Sequence, residues 1–173
     1  PVTHKVAVVR EDTHQIFATA SDRYTPLQNT DAFKFFDTVV GAGQAIYHTT
    51  GALNGGKQVW ILAQLPGTFK VVKGDEIEKY LLLINSHDTT RPFTVMFTPI
   101  RVVCHNTLSL ALSDSSQKSF RARHTSNILN KAVEARQTLG LADAYFTNFM
   151  AGVEQLAQTA FTESQMKEYT YSL

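Results

Sequence analysis

The sequence contains a single cysteine, Cys104, among its 173 residues. One thiol excludes a disulfide bond within the chain and fits a reducing compartment. The sequence also lacks an apolar run near the roughly 18 residues that a membrane-spanning helix needs, and its start lacks the pattern of a signal peptide. These absences lead us to expect a cytoplasmic protein.

The sequence also has no large excess of positive or negative charge, because it contains 16 Lys and Arg residues and 15 Asp and Glu residues. A net charge of +1 does not by itself require a nucleic-acid partner, so the local clustering of charge carries more information. The length suits one domain over residues 1–173. Because the chain begins with Pro1 rather than Met, we expect it to be part of a longer protein.

Pairs of apolar runs separated by turn residues indicate β-hairpins. The clearest pair is 79–84 and 93–97, whose connection consists mostly of turn formers. A second pair, 45–53 and 57–65, flanks an Asn-Gly-Gly turn, which is a strong hairpin signal. Residues 6–9 and 15–20 suggest a further hairpin near the start, and Ser119 to His124 alternates like a strand.

Helical periodicity follows the central hairpin. Thr98 supplies a capping hydroxyl and Pro99 a first-turn proline. The residues that follow place one set of side chains on a single helix face: Ile100, Val103, Cys104, Thr107, Leu108 and Ala111. We therefore expect a helix that begins at Thr98 and buries Val103 and the Cys104 thiol.

Other helices are predicted after Asn29 or Thr30, after Thr125 or Ser126, and over residues 141–160. A capping box at 162–165 begins a last helix. The order of strands and helices predicts an α+β fold, with an antiparallel sheet of hairpins and packed helices.

Several long motifs in this chain resemble those of the phage/plasmid-like protein family. They are Ser21-Asp22-Arg23-Tyr24, the run from Gly51 to Lys57, Asn85-Ser86-His87-Asp88, the run from Thr98 to Leu108, and Arg121-Ala122-Arg123-His124-Thr125. That family is a domain of unknown function found in phages, prophages and plasmids, so the resemblance implies the cytoplasm of a bacterial host. The element order is also similar to the cores of single-strand annealing proteins, which assemble into rings or filaments. By that analogy we expect a homo-oligomer.

Basic residues provide the candidate interface. Between Lys118 and Arg136 the chain has five Lys or Arg residues against one acid. Contacts to a nucleic-acid backbone need such cations but no particular base sequence. The candidate residues are Arg121 and Arg123 on one strand face, Arg101 on the central helix, Lys131 and Arg136 beyond them, and Lys57 and Arg91 in or beside hairpin turns. They predict a non-enzymatic protein without a cofactor that binds single-stranded DNA in recombination or replication.

Two alternatives stay open at this point. His87, Asp88, His105 and His124 are residue types that bind divalent metals, which suggests a metal-dependent enzyme. However, no H-x-x-x-H or H-E-x-x-H spacing is present. A structural or counter-defence protein that acts through protein contacts alone is the other alternative.

Overall fold

The computed structural model describes residues 4–43, 45–70, 76–113, 119–134, 142–160 and 162–171. These residues form seven strands and five α-helices. In chain order they are β1 Lys5–Val9, β2 Ile16–Ser21, α1 Asn29–Gly41, β3 Ile46–Leu53, β4 Gln58–Lys70, β5 Glu76–Ser86, β6 Phe93–Thr98, α2 His105–Ser113, β7 Ser119–Ala122, α3 Ile128–Glu134, α4 Ala142–Gln158 and α5 Glu163–Tyr171. A 3-10 turn at Asn54–Gly56 connects β3 and β4.

Five strands form one antiparallel sheet in the order β3-β4-β5-β6-β7. The strands β1 and β2 form a separate antiparallel hairpin. Consecutive strands are neighbours throughout the described part of the sheet, as expected for a chain built from hairpins. The predicted α+β fold is therefore confirmed.

Both faces of the sheet are covered, and the central strand β5 shows why. Its side chains alternate, so Leu81 and Leu83 belong to one core while Leu82 and Ile84 belong to the other. The first core also contains residues of three helices, which are Phe36 of α1, Ile128 of α3 and Phe146 of α4. The second core contains Leu108 and Ala111 of α2. At about 1.5–3 kcal/mol for each buried large apolar side chain, these two cores stabilise the sheet from both sides.

The hairpin of β3 and β4 depends on a glycine at its centre. Gly51 lies opposite Trp60 in the register of the two strands. A Cβ atom at position 51 would lie 2.5 Å from the indole ring, which is far inside van der Waals contact. The lack of a side chain at Gly51 therefore allows Trp60 to lie flat in the second core.

The predicted start of the central helix is wrong. Thr98 is the last residue of β6, and α2 begins only at His105. The first intrahelical hydrogen bond runs from the Leu108 amide to the Cys104 carbonyl, while the Thr107 hydroxyl accepts from the amides of Val103 and Cys104. These side-chain bonds end the irregular segment that follows β6. Consequently Val103 is 52% exposed and the Cys104 thiol is also exposed, contrary to our expectation of burial.

Smaller differences concern element boundaries. The strand β4 continues through Pro66 and Gly67, where the register shifts between Gln64 and Thr68, instead of ending there. The strand β7 ends at Ala122 rather than at His124. The capping box before α5 is confirmed, since the Thr162 hydroxyl accepts from the Gln165 amide and the Gln165 side chain accepts from the Thr162 amide. Within the described ranges, no helix is both long and apolar enough to cross a bilayer.

Candidate nucleic-acid interface

Four cationic side chains line one cleft of about 630 Å³, which we call the basic cleft. Lys5 begins β1, Arg23 lies two residues beyond the end of β2, Arg91 lies in the turn between β5 and β6, and Arg123 directly follows β7. Three separate parts of the fold therefore contribute positive charge to the same cleft.

The positive charge of the basic cleft is not compensated by the described residues. No Asp or Glu is among the residues that line it. Among the described residues, none accepts a hydrogen bond or forms an ion pair with the side chains of Lys5, Arg23, Arg91 or Arg123. Other cations of the chain do have partners, as in the Lys131–Glu134 pair at 2.6 Å. Unpaired cations in a recess are suited to attract and hold an anion.

Hydroxyl groups add uncharged donors to the same cleft. They belong to Thr19, Ser21, Thr89, Thr90 and Thr125. Hydroxyls and guanidinium groups are the side chains that commonly contact phosphate oxygens without reading sequence. The lining of the basic cleft is therefore suited to a phosphate-containing ligand.

The Asp88 side chain stabilises the turn between β5 and β6. Its carboxylate accepts hydrogen bonds from the Ser86 hydroxyl at 2.6 Å, the Gln58 amide at 3.0 Å and the Thr90 backbone amide at 3.1 Å. Burial opposes ionisation of Asp88, but these hydrogen bonds outweigh burial and lower its pKa to about 2. Thr89 takes a left-handed φ of 64°, an uncommon conformation for a β-branched residue. The Asp88 contacts thus fix the turn that carries Arg91 at the cleft.

An aromatic pair supports the basic cleft from inside. The rings of Tyr24 and His124 stack with centroids 5.1 Å apart, and the Tyr24 hydroxyl donates to the Ser86 carbonyl at 3.2 Å. Burial raises the pKa of Tyr24 to about 12, aided by the Asp88 carboxylate. Burial, together with the neighbouring His87, lowers the pKa of His124 to about 4. His124 is therefore neutral near pH 7, and its two ring nitrogens have no hydrogen-bond partner among the described residues.

The buried side-chain amide of Asn85 fixes the positions of the residues around His87. The Asn85 side chain is fully buried and donates to the Leu27 carbonyl at 2.8 Å and to the Asn29 Oδ1 at 2.9 Å. The His87 Nε2 also bonds to the Asn29 Oδ1, at 2.9 Å. Since that oxygen is an acceptor, Nε2 carries the proton and Nδ1 is left as an acceptor. Burial lowers the pKa of His87, which keeps the ring neutral.

The structure brings together two of the arginines that the sequence predicts, Arg91 and Arg123. Arg121 is exposed on β7 opposite Thr94 and does not line the basic cleft. Arg101 is exposed and close enough to Tyr80 to act on its pKa, so it lies toward the core that contains α2. The two expected neighbours on one strand face are therefore not both at this cleft.

The remaining predicted cations lie elsewhere. Lys131 of α3 pairs with Glu134. Lys57 follows the 3-10 turn, and its backbone carbonyl accepts a hydrogen bond from the His87 amide at 2.7 Å. Arg136 lies outside the described residues. Their contact with a nucleic acid stays a prediction.

Sequence reasoning missed Lys5 and Arg23 as members of a site. Arg23 follows Asp22 directly in the sequence, but Asp22 bonds to the His4 ring at 3.0 Å. Neither residue lies in a run of basic residues. The one available signal is that each lies at or just beyond the end of a predicted strand, where loops often place binding residues.

The predicted metal ligands do not form one group. Among the described residues, no set of three or more His, Cys, Asp or Glu side chains is arranged to hold a metal ion. His87 and His124 are neighbours, and Asp88 is engaged by its turn, whereas His105 begins α2 on the other side of the sheet. These four residues therefore do not assemble into a candidate metal centre.

Comparison with known proteins identifies a family. No curated protein and no solved structure matches the chain. A family model described as a domain of unknown function, DUF932, matches residues 16–173. That range contains three of the four cations of the basic cleft, all except Lys5. Because the match spans most of the sequence, the chain belongs to the DUF932 family, which confirms its resemblance to phage/plasmid-like proteins.

Proposed function

We propose that this protein is a phage- or plasmid-encoded single-stranded-DNA-binding protein that acts in recombination or replication, where it promotes the annealing of strands. The basic cleft binds the sugar–phosphate backbone, with Arg23, Arg91 and Arg123 as the main phosphate contacts and Lys5 beside them. Base pairing with a second strand requires that most bases stay free, and backbone contacts leave them so.

The observation that supports this proposal is the uncompensated charge of the basic cleft. Four cations and several hydroxyls converge there, and no carboxylate is among the lining residues. Elsewhere on the surface, Lys34 pairs with Asp31 and Arg10 pairs with Asp12. Keeping like charges together costs stability, so such a cluster is better explained by an anionic ligand.

The size of the basic cleft favours one strand over two. A cavity of about 630 Å³ is within the range that encloses a small ligand or a short piece of a chain. We therefore expect a flexible single strand to contact more of the lining residues than a rigid duplex can. Several copies of the chain, assembled as a homo-oligomer, would repeat the cleft along a strand and add their contacts.

The experiment measures binding of fluorescently labelled oligodeoxythymidine and of a duplex of the same length by anisotropy. The parent protein is compared with the Arg91→Ala/Arg123→Ala variant. We expect tighter binding of the single strand and, in the variant, a loss of roughly tenfold, since about 1.4 kcal/mol corresponds to a factor of ten. Arg91 is half-buried and Arg123 exposed, and neither side chain forms a hydrogen bond or ion pair with a described residue, so the melting temperature should change little.

The matched control is Arg101→Ala/Arg121→Ala, which removes the same charge at two exposed positions outside the basic cleft. Its affinity should fall less than that of the cleft variant. Equal losses in both variants would point to a diffuse effect of net charge, and the role of the cleft would be wrong. Equal competition by free thymidine monophosphate would instead assign the cleft to a small nucleotide.

A further inference from the structure

A second cleft, of about 420 Å³, lies along the same β1–β2 hairpin as the basic cleft. Phe17 of β2 lines this second cleft, whereas Thr19 and Ser21 farther along β2 line the basic cleft. His87, which lines the second cleft, is also near enough to His124, which lines the first, to act on its pKa. The two clefts therefore lie next to each other along this hairpin.

The residues that line the second cleft include one cation, Arg10, and one carboxylate, Glu11, so we call it the neutral cleft. Its cation, Arg10, is held by the Asp12 carboxylate through two hydrogen bonds of 2.7 and 2.9 Å. Glu11 also lines the cleft. Among the described lining residues no other Lys or Arg is present. A phosphate has no unpaired cation to bind here.

Half of the residues that line the neutral cleft are apolar: Val8, Val9, Phe17, Pro26, Ala52 and Val59. Gly56 keeps the cleft open beside them. It has a φ of +93°, and a Cβ atom there would lie 3.0 Å from the Arg10 guanidinium and 3.8 Å from the Phe17 ring. A side chain at position 56 would therefore crowd Arg10 and Phe17.

Polar groups with fixed roles lie at one end of the neutral cleft. The Asn29 Oδ1 already accepts from Asn85 and from His87, so the Asn29 amide nitrogen remains as a donor. The same hydrogen bond leaves the His87 Nδ1 as an acceptor. Both residues line the cleft, and the exposed amide of Gln28 lies next to them. A donor and an acceptor beside an apolar wall match the edge and the face of a nucleobase.

We propose that the neutral cleft binds an unstacked nucleobase of the strand whose phosphates lie in the basic cleft. This inference rests on the proposed function. The base inserts against the apolar wall formed by Phe17 and its neighbours, while Asn29 and His87 bond to its polar edge. Since an amide and an imidazole can pair with several base edges, the cleft accepts more than one base.

The test uses the variant Ala52→Trp, which fills the neutral cleft from an exposed position on the edge strand β3, where an aromatic residue is compatible with strand geometry. A second variant, Gln28→Ala, removes only a side-chain amide. The control Ala151→Trp adds the same bulk at an exposed position of α4 outside both clefts. Each protein is titrated with an oligonucleotide and with its abasic counterpart of equal phosphate number.

The parent and the Ala151→Trp control should bind the normal oligonucleotide roughly fivefold or more tightly than the abasic one, because one stacked base contributes at least about 1 kcal/mol. Ala52→Trp should remove this preference, and Gln28→Ala should reduce it, while the salt dependence stays that of the parent. A parent without preference, or an Ala52→Trp variant that keeps it, would overturn the base site and leave the basic cleft untouched. A parent that binds neither oligonucleotide would instead refute the proposed function itself.

Discussion

The basic cleft and the neutral cleft share the β1–β2 hairpin but differ in their electrostatics. In the basic cleft four cations have no described partner, and no carboxylate lines it. In the neutral cleft Arg10 is bound by Asp12, Glu11 adds a negative charge, and half of the lining is apolar. One cleft is therefore suited to an anion and the other to a flat, uncharged group.

This difference shows why net charge is a poor guide to ligand class. The whole chain carries a formal charge of only +1. In the folded protein, the cation of the neutral cleft is paired with a carboxylate, whereas the cations of the basic cleft have no described partner. A nucleotide has the same two parts, an anionic phosphate and a neutral base, which is why we propose one cleft for each.

The largest expected effect is on stability and comes from replacing the buried Asn85 side chain. Asn85→Ala leaves the Leu27 carbonyl and the Asn29 Oδ1 without the buried amide that donates to both. We expect the free energy of unfolding to fall by about 2–4 kcal/mol, since a fully buried hydrogen-bonded amide is lost. Urea denaturation measures this loss, and Asn130→Ala, at an exposed asparagine bonded only to Asn127, is the control. Equal stability of the two variants would contradict the supporting role of Asn85.

A smaller effect is the pH dependence of stability that His124 causes. The pKa of His124 is about 4 in the folded protein, below the ordinary value of 6.5, so the unfolded chain binds more protons between these values. Stability should therefore be fully present above about pH 6.5 and should fall as the pH drops toward 4, by roughly 3 kcal/mol at most. His87, whose pKa is also lowered, should add to this loss, whereas Asp88 with a pKa of about 2 titrates below the window.

The variant His124→Phe keeps an aromatic ring on Tyr24 and removes the titrating group. Its stability should depend less on pH between 6.5 and 4 than that of the parent. At pH 7 it should be at least as stable, because two buried unpaired nitrogens are gone. Thermal melts across this pH range measure both effects. A parallel pH dependence in the two proteins would show that His124 is not the group responsible.

Much of the fold could be predicted from local pattern. The hairpins follow from alternating apolar residues and from turns such as Asn54–Gly56, and the order of elements agrees with the structure. The start of α2 could not be predicted in the same way. Thr98 and Pro99 have the right chemistry for a helix start, but Thr98 completes β6, and Thr107 instead bonds the amides that precede the helix. The pairing of Thr98 within the sheet therefore outweighed the helix-start pattern of Thr98 and Pro99.

The candidate site was predictable only in part. Arg91 and Arg123 stand beside turn and strand signals, and both line the basic cleft. Lys5 and Arg23 reach the same cleft only because the β1–β2 hairpin lies against the turn after β5, and no spacing in the sequence encodes that packing. No pattern in the sequence predicted the neutral cleft. Its walls come from β1, β2, β3, β4 and the start of α1, so it exists only after folding.

The salt dependence of single-strand binding tests the central claim most directly. The measurement is the slope of log affinity against log salt concentration, taken with oligodeoxythymidine for the parent and for Arg91→Ala/Arg123→Ala. If both arginines contact phosphates, the variant should lose about 1.4 from the magnitude of the slope, because each released counterion contributes about 0.7 on a single strand. Parallel lines for the two proteins, or a parent that does not bind at low salt, would contradict the account.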